Sequence, residues 1–388
     1  MTLTASAWLA YELSGSPFVV GLLAFASHIP VLLLAPLAGV WGDRLNRHRL
    51  ILALQVLCLV QSSALAFVTL SGHLTVPWLL ALTACRGLIN AAEFPTRQSF
   101  IVELVGRKED LGNAIALNSS LFNLARLAGP SIAGLVIVTG GAGICYVLDA
   151  ASYLPIITGL LLMKVPAKAP RTDRRHPLTE LSAGLRYAAQ TTALRAPLLL
   201  VPVMAAAGFA ASTLAPVFAR DVFASDARTL GFMYGAVGAG ALGSAYFLSL
   251  RTQVTGLVRW VTRGAWLVGL GQAGFALSTS LAPALVGLAA TGVGTVLVMA
   301  GSNTWVQAHV DDDKRSRVMG LFTMGQGMFP VGSVLIGVLA TATSERIAVG
   351  TAAAVCVAAA WVFGRKAAAL GGTTTAGPVS PPLNDNPA

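Results

Sequence analysis

Five ionisable side chains, Arg86, Glu93, Arg126, Asp149 and His28, fall inside long apolar runs. An ionisable group facing lipid costs several kilocalories per mole, so each is expected to face a cavity or a partner. Arg86 lies near the middle of its run and Glu93 two helical turns further along, on roughly the same face. Arg126 lies near the middle of the next run and Asp149 in the outer part of the one after. All four are expected to face one central path. Arg126 and Asp149 approach comparable depths and form a candidate pair; Arg86 meets Glu93 through water, or meets an anionic group of a substrate. Proton exchange in alternation with substrate and a permanent interhelical ion pair both fit Glu93, whereas the ion pair fits Asp149 better. His28 can titrate or hydrogen-bond locally.

The elements that must hold these groups are membrane helices. Of 388 residues, 55% are hydrophobic and 11% charged. Runs near 18–40, 50–70, 76–96, 112–138, 144–163, 197–219, 230–250, 257–279, 282–306, 318–341 and 347–364 are each about 20 residues, the length that spans hydrocarbon as a helix. In lipid every backbone group must be satisfied internally, which a helix achieves within one segment. The opening segment from Met1 to Tyr11 is apolar but too short to cross, so the chain is expected to begin inside its first helix.

The net charge of +10 comes with an uneven placement that argues against nucleic acid. Residues 41–49, 107–110 and 164–195, with Arg251, Arg259, Lys314, Arg315, Arg317, Arg365 and Lys366, fall on one expected side, and only Arg220, Arg228 and Arg346 on the other. The positive-inside rule makes the first side cytoplasmic, the C-terminus with it. The polar stretch 164–195 divides the chain into a lobe over 1–163, with a partial first helix, and a second lobe over 196–366. Within the divider, Leu178, Leu181, Leu185 and Ala188 follow helical spacing and suit a helix lying along the membrane surface. Residues 367–388, rich in Gly, Pro and Thr towards their end, read as a disordered cytoplasmic tail.

Other chemistry finds little support. No G-x-x-x-x-G-K-S/T loop is present, which speaks against direct ATP hydrolysis. Cys58, Cys85, Cys145 and Cys356 are scattered through apolar runs without metal or redox spacing. No His, Cys or carboxylate grouping makes a catalytic site, so neither cofactor, metal nor enzymatic activity is expected.

Two motifs concern helix contacts. Ala35, Gly39 and Asp43 recur every four residues and share a helical face, leading into the charged turn with Arg44, Arg47, His48 and Arg49. Asp43 can meet the positive end of a neighbouring helix while the arginines stay at the headgroups. Later, Pro130 removes a helical hydrogen bond, while Gly129 and Gly134 allow close approach and permit a bend. Gly231, Gly235, Ala239 and Gly243 form a further small-residue ladder.

The first turn resembles the signature G-x-L-A-D-R-x-G-R-R/K of the major facilitator superfamily, with Gly39, Asp43, Arg44, Arg47 and Arg49 matching and Trp41, Gly42, Asn46 and His48 departing. Separated blocks, including Tyr11–Pro17, Arg86–Gln98, Asn113–Gly134 and Arg315–Gly320, are similar to the enterobactin-exporter-like and drug:proton antiporter branch. Gly129, Pro130 and Gly134 resemble the antiporter motif G-x-x-x-G-P-x-x-G-G, with Ala125 and Leu135 in place of its outer glycines. The resemblance implies an all-α major facilitator fold of two six-helix lobes in a bacterial inner membrane. It implies a monomeric, proton-coupled exporter of a siderophore, macrolide-like drug or other amphipathic molecule. Uptake of a small metabolite, and a non-transporting receptor or scaffold, stay open.

Overall fold

The computed structural model describes residues 1–44, 46–104, 111–163, 186–187, 189–250, 256–311 and 314–371, and among them no strand forms. Helix α1 spans Thr2–Ser14, α2 Pro17–Arg44, α3 Arg47–Leu70, α4 Val76–Leu104, α5 Leu111–Gly140 and α6 Ala142–Leu162. Helix α7, Thr192–Ala207, leads into short turns at Ala210–Thr213 and Ala215–Val217 and a π-helical turn at Phe218–Val222. Then come α8 Ala227–Ser249, α9 Leu257–Leu277, α10 Leu281–His309, α11 Arg315–Gln326, α12 Phe329–Ala342 and α13 Glu345–Gly371.

Seven of the described stretches are long and apolar enough to cross a membrane: Pro17–Leu34, Arg47–Leu70, Ala142–Leu162, Leu194–Val222, Leu281–His309, Arg317–Ala342 and Glu345–Lys366. Helices α4, α5, α8 and α9 run alongside them at 21 to 30 residues each. Large apolar side chains such as Phe67, Leu162 and Leu277 are more than 70% exposed. In water such a surface would aggregate, and against acyl chains it is solvated. The protein is a multi-pass membrane protein.

Two expected spans differ in detail. The run at 197–219 is interrupted after Ala207, and the run at 318–341 is split between α11 and α12 at Gly327 and Met328. The first run stays apolar across its break, whereas the second break follows Gln326 between two glycines and precedes Pro330. Residues 367–371 belong to α13 rather than to the tail. The surface helix expected at Leu178, Leu181, Leu185 and Ala188, and the tail beyond Gly371, lie outside the described residues. Helix α1 ends where Gly15 takes a left-handed conformation, φ 60°, its N–H bonded to Tyr11 O at 2.8 Å. Left-handed backbone favours glycine and turns the chain directly into α2.

Helices α1–α6 pack among themselves, as do α7–α13, and the two sets meet chiefly where α2 lies against α12 and α5 against α8. Both contacts are antiparallel and built on small residues. Gly21 faces Ser333 and Gly337, and Gly134 faces Ala227 and Gly231, so closely that a methyl group on either glycine would strike backbone. Hydrogen bonds cross the same joints, from Phe18 N to Thr341 Oγ1 at 3.1 Å, Ser333 Oγ to Gly21 O at 3.2 Å and Ser131 Oγ to Gly231 O at 3.3 Å.

These contacts gather at the end carrying the short turns after α1, α3, α5, α9 and α12. There one apolar core joins both sets, from Ala5, Leu9 and Val20 to Phe218, Leu230 and Ile336. Towards the opposite, basic end the cores found among the described residues lie within single sets. Ile51, Phe100 and Leu160 form one within the first set, and Leu194, Val201, Val306, Val318 and Phe322 form another within the second.

Candidate functional site

A polar cluster sits inside the first set between α3, α4 and α6. Residues 55, 58 and 62 recur at three- and four-residue spacing, so Gln55, Cys58 and Ser62 share one face of α3. Helix α4 supplies Arg86 and Glu93, and α6 supplies Asp149 and Tyr153, one turn apart. Gln55 Nε2 donates to Glu93 Oε1 at 3.2 Å, and Cys58 Sγ lies 3.9 Å from Glu93 Oε2. Ser62 Oγ donates to Asp149 Oδ2 at 2.5 Å, while Gln61 Nε2 donates to Leu82 O at 3.1 Å. The Arg86 guanidinium lies over the Tyr153 ring, 5.4 Å from its centroid, with Glu93 and Asp149 both in electrostatic range.

The cluster is not closed. Arg86 Nη1, Gln55 Oε1 and Thr83 Oγ1 are buried without a hydrogen-bond partner among the described residues. Each such group costs about 1–3 kcal/mol if left unmatched. Unmatched groups on Arg86 and Gln55, beside Glu93 and Asp149, make a polar interior suited to water.

The structure thus brings Arg86, Glu93 and Asp149 together, but facing α3 and Tyr153 of their own set. Arg86 lies against Tyr153 and Glu93 against Gln55 and Cys58. The side chain of Arg126 lies outside the described residues, as do those of Gly39, Asp43 and Arg44. Arg47 and Arg49 open α3, and Asn46 caps it by accepting from Arg49 N at 3.2 Å. His48 bonds Leu160 O through Nε2 at 2.7 Å, tying α3 to α6. Two departures from the signature motif, Asn46 and His48, therefore have structural roles here.

Of the antiporter-like glycines only Gly134 makes a close contact. Among the described residues a methyl on Gly129 would meet nothing nearer than Met1 N at 3.9 Å. Helix α5 continues through Pro130, whose carbonyl faces Gly231. The second-set ladder divides. Gly231 and Gly235 face α5, Gly240 rather than Ala239 packs against Ala289 and Val293 of α10, and Gly243 faces open space.

His28 is an expected ionisable residue whose ring reaches the other set. Its Nδ1 is shared with Ser27 Oγ at 2.6 Å and Ala24 O at 3.1 Å. Its ring meets Phe329 edge-on at 4.8 Å, and Phe329 meets Phe209 at 5.3 Å. Residues the sequence reading left aside include Gln55, Gln61, Ser62 and Tyr153 in the cluster, Phe209 at the joint, and Tyr11, whose hydroxyl donates to Asp221 across the sets. The available signal was a glutamine or serine recurring within an otherwise apolar run. At the basic end Asp311 accepts from Lys314 Nζ at 3.1 Å, and this bond, with Tyr187 beside it, holds its carboxyl below the usual aspartate range.

A family profile described as transmembrane secretion effector, within the major facilitator superfamily, matches residues 1–373. The chain belongs to this family. Among curated relatives, the staphyloferrin A transporter of Staphylococcus aureus is 23% identical over 343 residues, covering 86% of this chain and 83% of the relative. The multidrug efflux pump Tap of Mycolicibacterium fortuitum is 26% identical over 355 residues, 88% and 85% of the two chains. The enterobactin exporter EntS of Shigella boydii is 31% identical over 246 residues, 62% of this chain and 54% of that one. The fold of this secretion-effector family member matches that of the nucleoside transporter NupG, with a TM-score of 0.71 at 14% identity over 94% of both chains. A peptide transporter of the POT type gives 0.76 at 9% identity, covering 95% of this chain and 92% of that one. The fold is that of a major facilitator transporter.

Proposed function

We propose that this protein exports a siderophore, drug or similar amphipathic molecule in exchange for protons, working as a monomer whose two helix sets are lobes that rock about a central path. The observation that supports the reading is the asymmetry of the cores among the described residues, joined between the sets at the short-turn end and lying within single sets towards the basic end. Lobes packed in this way can part at one end while the other stays shut. The placement of Arg and Lys assigns the basic end, with the C-terminus, to the cytoplasm. The described arrangement then corresponds to the stage that receives substrate from the cytoplasm. The names of the siderophore and drug relatives support the substrate class.

In this reading Glu93 and Asp149 carry the protons. Arg86 lies between them in charge terms, offsetting an ionised carboxylate, and Ser62 donates to Asp149. Protonating one carboxyl frees the arginine to favour the other, which links proton uptake to a change in how α3, α4 and α6 pack. His28 and Phe329 lie where substrate would pass between the lobes.

The test is substrate-dependent proton flux in proteoliposomes, with siderophore and drug panels, for the parent chain, Glu93→Gln and Asp149→Asn. Coupled outward flux abolished by one substitution supports antiport and identifies the carrier. Flux that survives both substitutions removes the proton assignment, inward flux makes the protein an uptake system, and flux with no member of the panels rejects the substrate class.

A further inference from the structure

The interruption after α7 has an unusual construction. In an unbroken helix the N–H of Ala211 would donate to the C=O of Ala207, four residues earlier. Here the side-chain amide of Gln272, from α9, stands between them. Its Oε1 accepts from Ala211 N at 3.1 Å and its Nε2 donates to Ala207 O at 3.1 Å. Gln272 is fully buried, and Nε2 also lies 3.7 Å from Cys356 Sγ. One side chain thus takes both places in a helical hydrogen bond, satisfying the two backbone groups while keeping them apart.

What the interruption accomplishes is visible on its other side. Gly208 and Phe209 leave the helix, and the Phe209 ring meets Phe329, which begins α12 directly after the second interruption at Gly327 and Met328. Phe329 in turn meets His28 of the first set. Gly332 allows α12 to lie against the Ala206 backbone just before the first break. Two broken helices of one set therefore meet at the same depth, and three rings line up across the joint. Phe209 and Phe329 both keep partial exposure, as rings available to a ligand would.

We propose that Gln272 is a positioning residue. By holding the Ala207–Ala211 hydrogen bond open it turns Phe209 towards Phe329 and His28, and so shapes an aromatic surface that receives a planar ring system of the transported molecule. This rests on the transport reading above. Gln272 itself touches no substrate.

The test uses the full chain in lipid, with Gln272→Leu and Gln272→Met, which lack donor and acceptor, and Gln272→Glu, whose neutral acid group offers both. Spin labels at the exposed positions Leu199 and Arg220 bracket the break. An uninterrupted helix would separate them by about 32 Å, at about 1.5 Å per residue. We expect Gln272→Leu or Gln272→Met to shift the pulsed EPR distance part of the way towards that value, since the interruption at Leu214 and the π-helical turn at Phe218–Val222 remain. The KM for ethidium, a planar aromatic probe, should rise about tenfold with turnover within about twofold, and Gln272→Glu should restore both. If the apolar variants keep the parent distance, Gln272 does not hold the break. If the distance shifts and the KM does not, the aromatic surface is not a recognition element. Should the parent chain move no probe, the transport reading fails while the EPR arm still decides the role of Gln272 in holding the break.

Discussion

Gly134→Ala tests whether the joint between α5 and α8 holds the short-turn end closed. A Cβ at Gly134 would stand 2.5 Å from Ala227 O and 3.2 Å from Gly231 Cα. Against an ordinary contact of 3.4 Å the first falls about 0.9 Å short, and the obstacle is backbone that cannot rotate aside. Overpacking of this kind costs about 1–3 kcal/mol, and the cost is relieved if the helices separate. A bias of that size shifts an equilibrium between closed and parted forms by about 5- to 150-fold. Gly129→Ala is the control, since its Cβ would meet nothing nearer than 3.9 Å and the substitution favours helix. Spin labels at Ser71 and Thr279, both exposed in short turns of different sets, report the separation by pulsed EPR after the exposed Cys85 is replaced. The expected result is a second, longer population in Gly134→Ala only. An unchanged distribution in Gly134→Ala, or an equal shift in Gly129→Ala, refutes the reasoning.

Tyr11→Phe removes the hydroxyl that donates to Asp221 across the sets. The same EPR pair should show a smaller shift, about 2- to 13-fold for a bond worth about 0.5–1.5 kcal/mol. Of the four free cysteines Cys58, Cys145 and Cys356 are buried and Cys85 is exposed, so a membrane-permeant maleimide followed by peptide mass spectrometry should modify Cys85 first. The Asp311–Lys314 contact should be present through the neutral range. Because the Asp311 carboxyl is held below the usual aspartate range, the contact is lost only as pH falls through that lowered value. The protection factor of Lys314 N, which donates to Asp311 O at 3.0 Å, should then fall in acid relative to the intrinsic exchange rate, and Asp311→Asn should remove that change in protection.

Membrane helices were legible in the residues because hydropathy is a local property and lipid allows the backbone few solutions. The importance of Arg86, Glu93 and Asp149 was legible for the same reason, as a charge inside an apolar run is costly enough to imply a partner. Which partner was not legible. Helical spacing shows that Arg86 and Glu93 share a face, but whether that face meets a central path or α3 depends on how the helices are rotated in the bundle, and packing decided for Gln55, Cys58 and Tyr153. The glycines show the same division. Gly129 and Gly134 are equivalent as a pattern, and among the described residues only Gly134 lies in close contact, with α8. Of the breaks at Gly208 and Gly327 only the second is marked in the sequence, by Gln326 between two glycines; a helix can be interrupted within an apolar run if another element supplies the missing hydrogen bonds. For the first of them that element is Gln272, more than 60 residues away in sequence. Residue types and spacing thus determined the helices and where charge must matter, while the tertiary structure chose the partners, because each partner comes from a different helix.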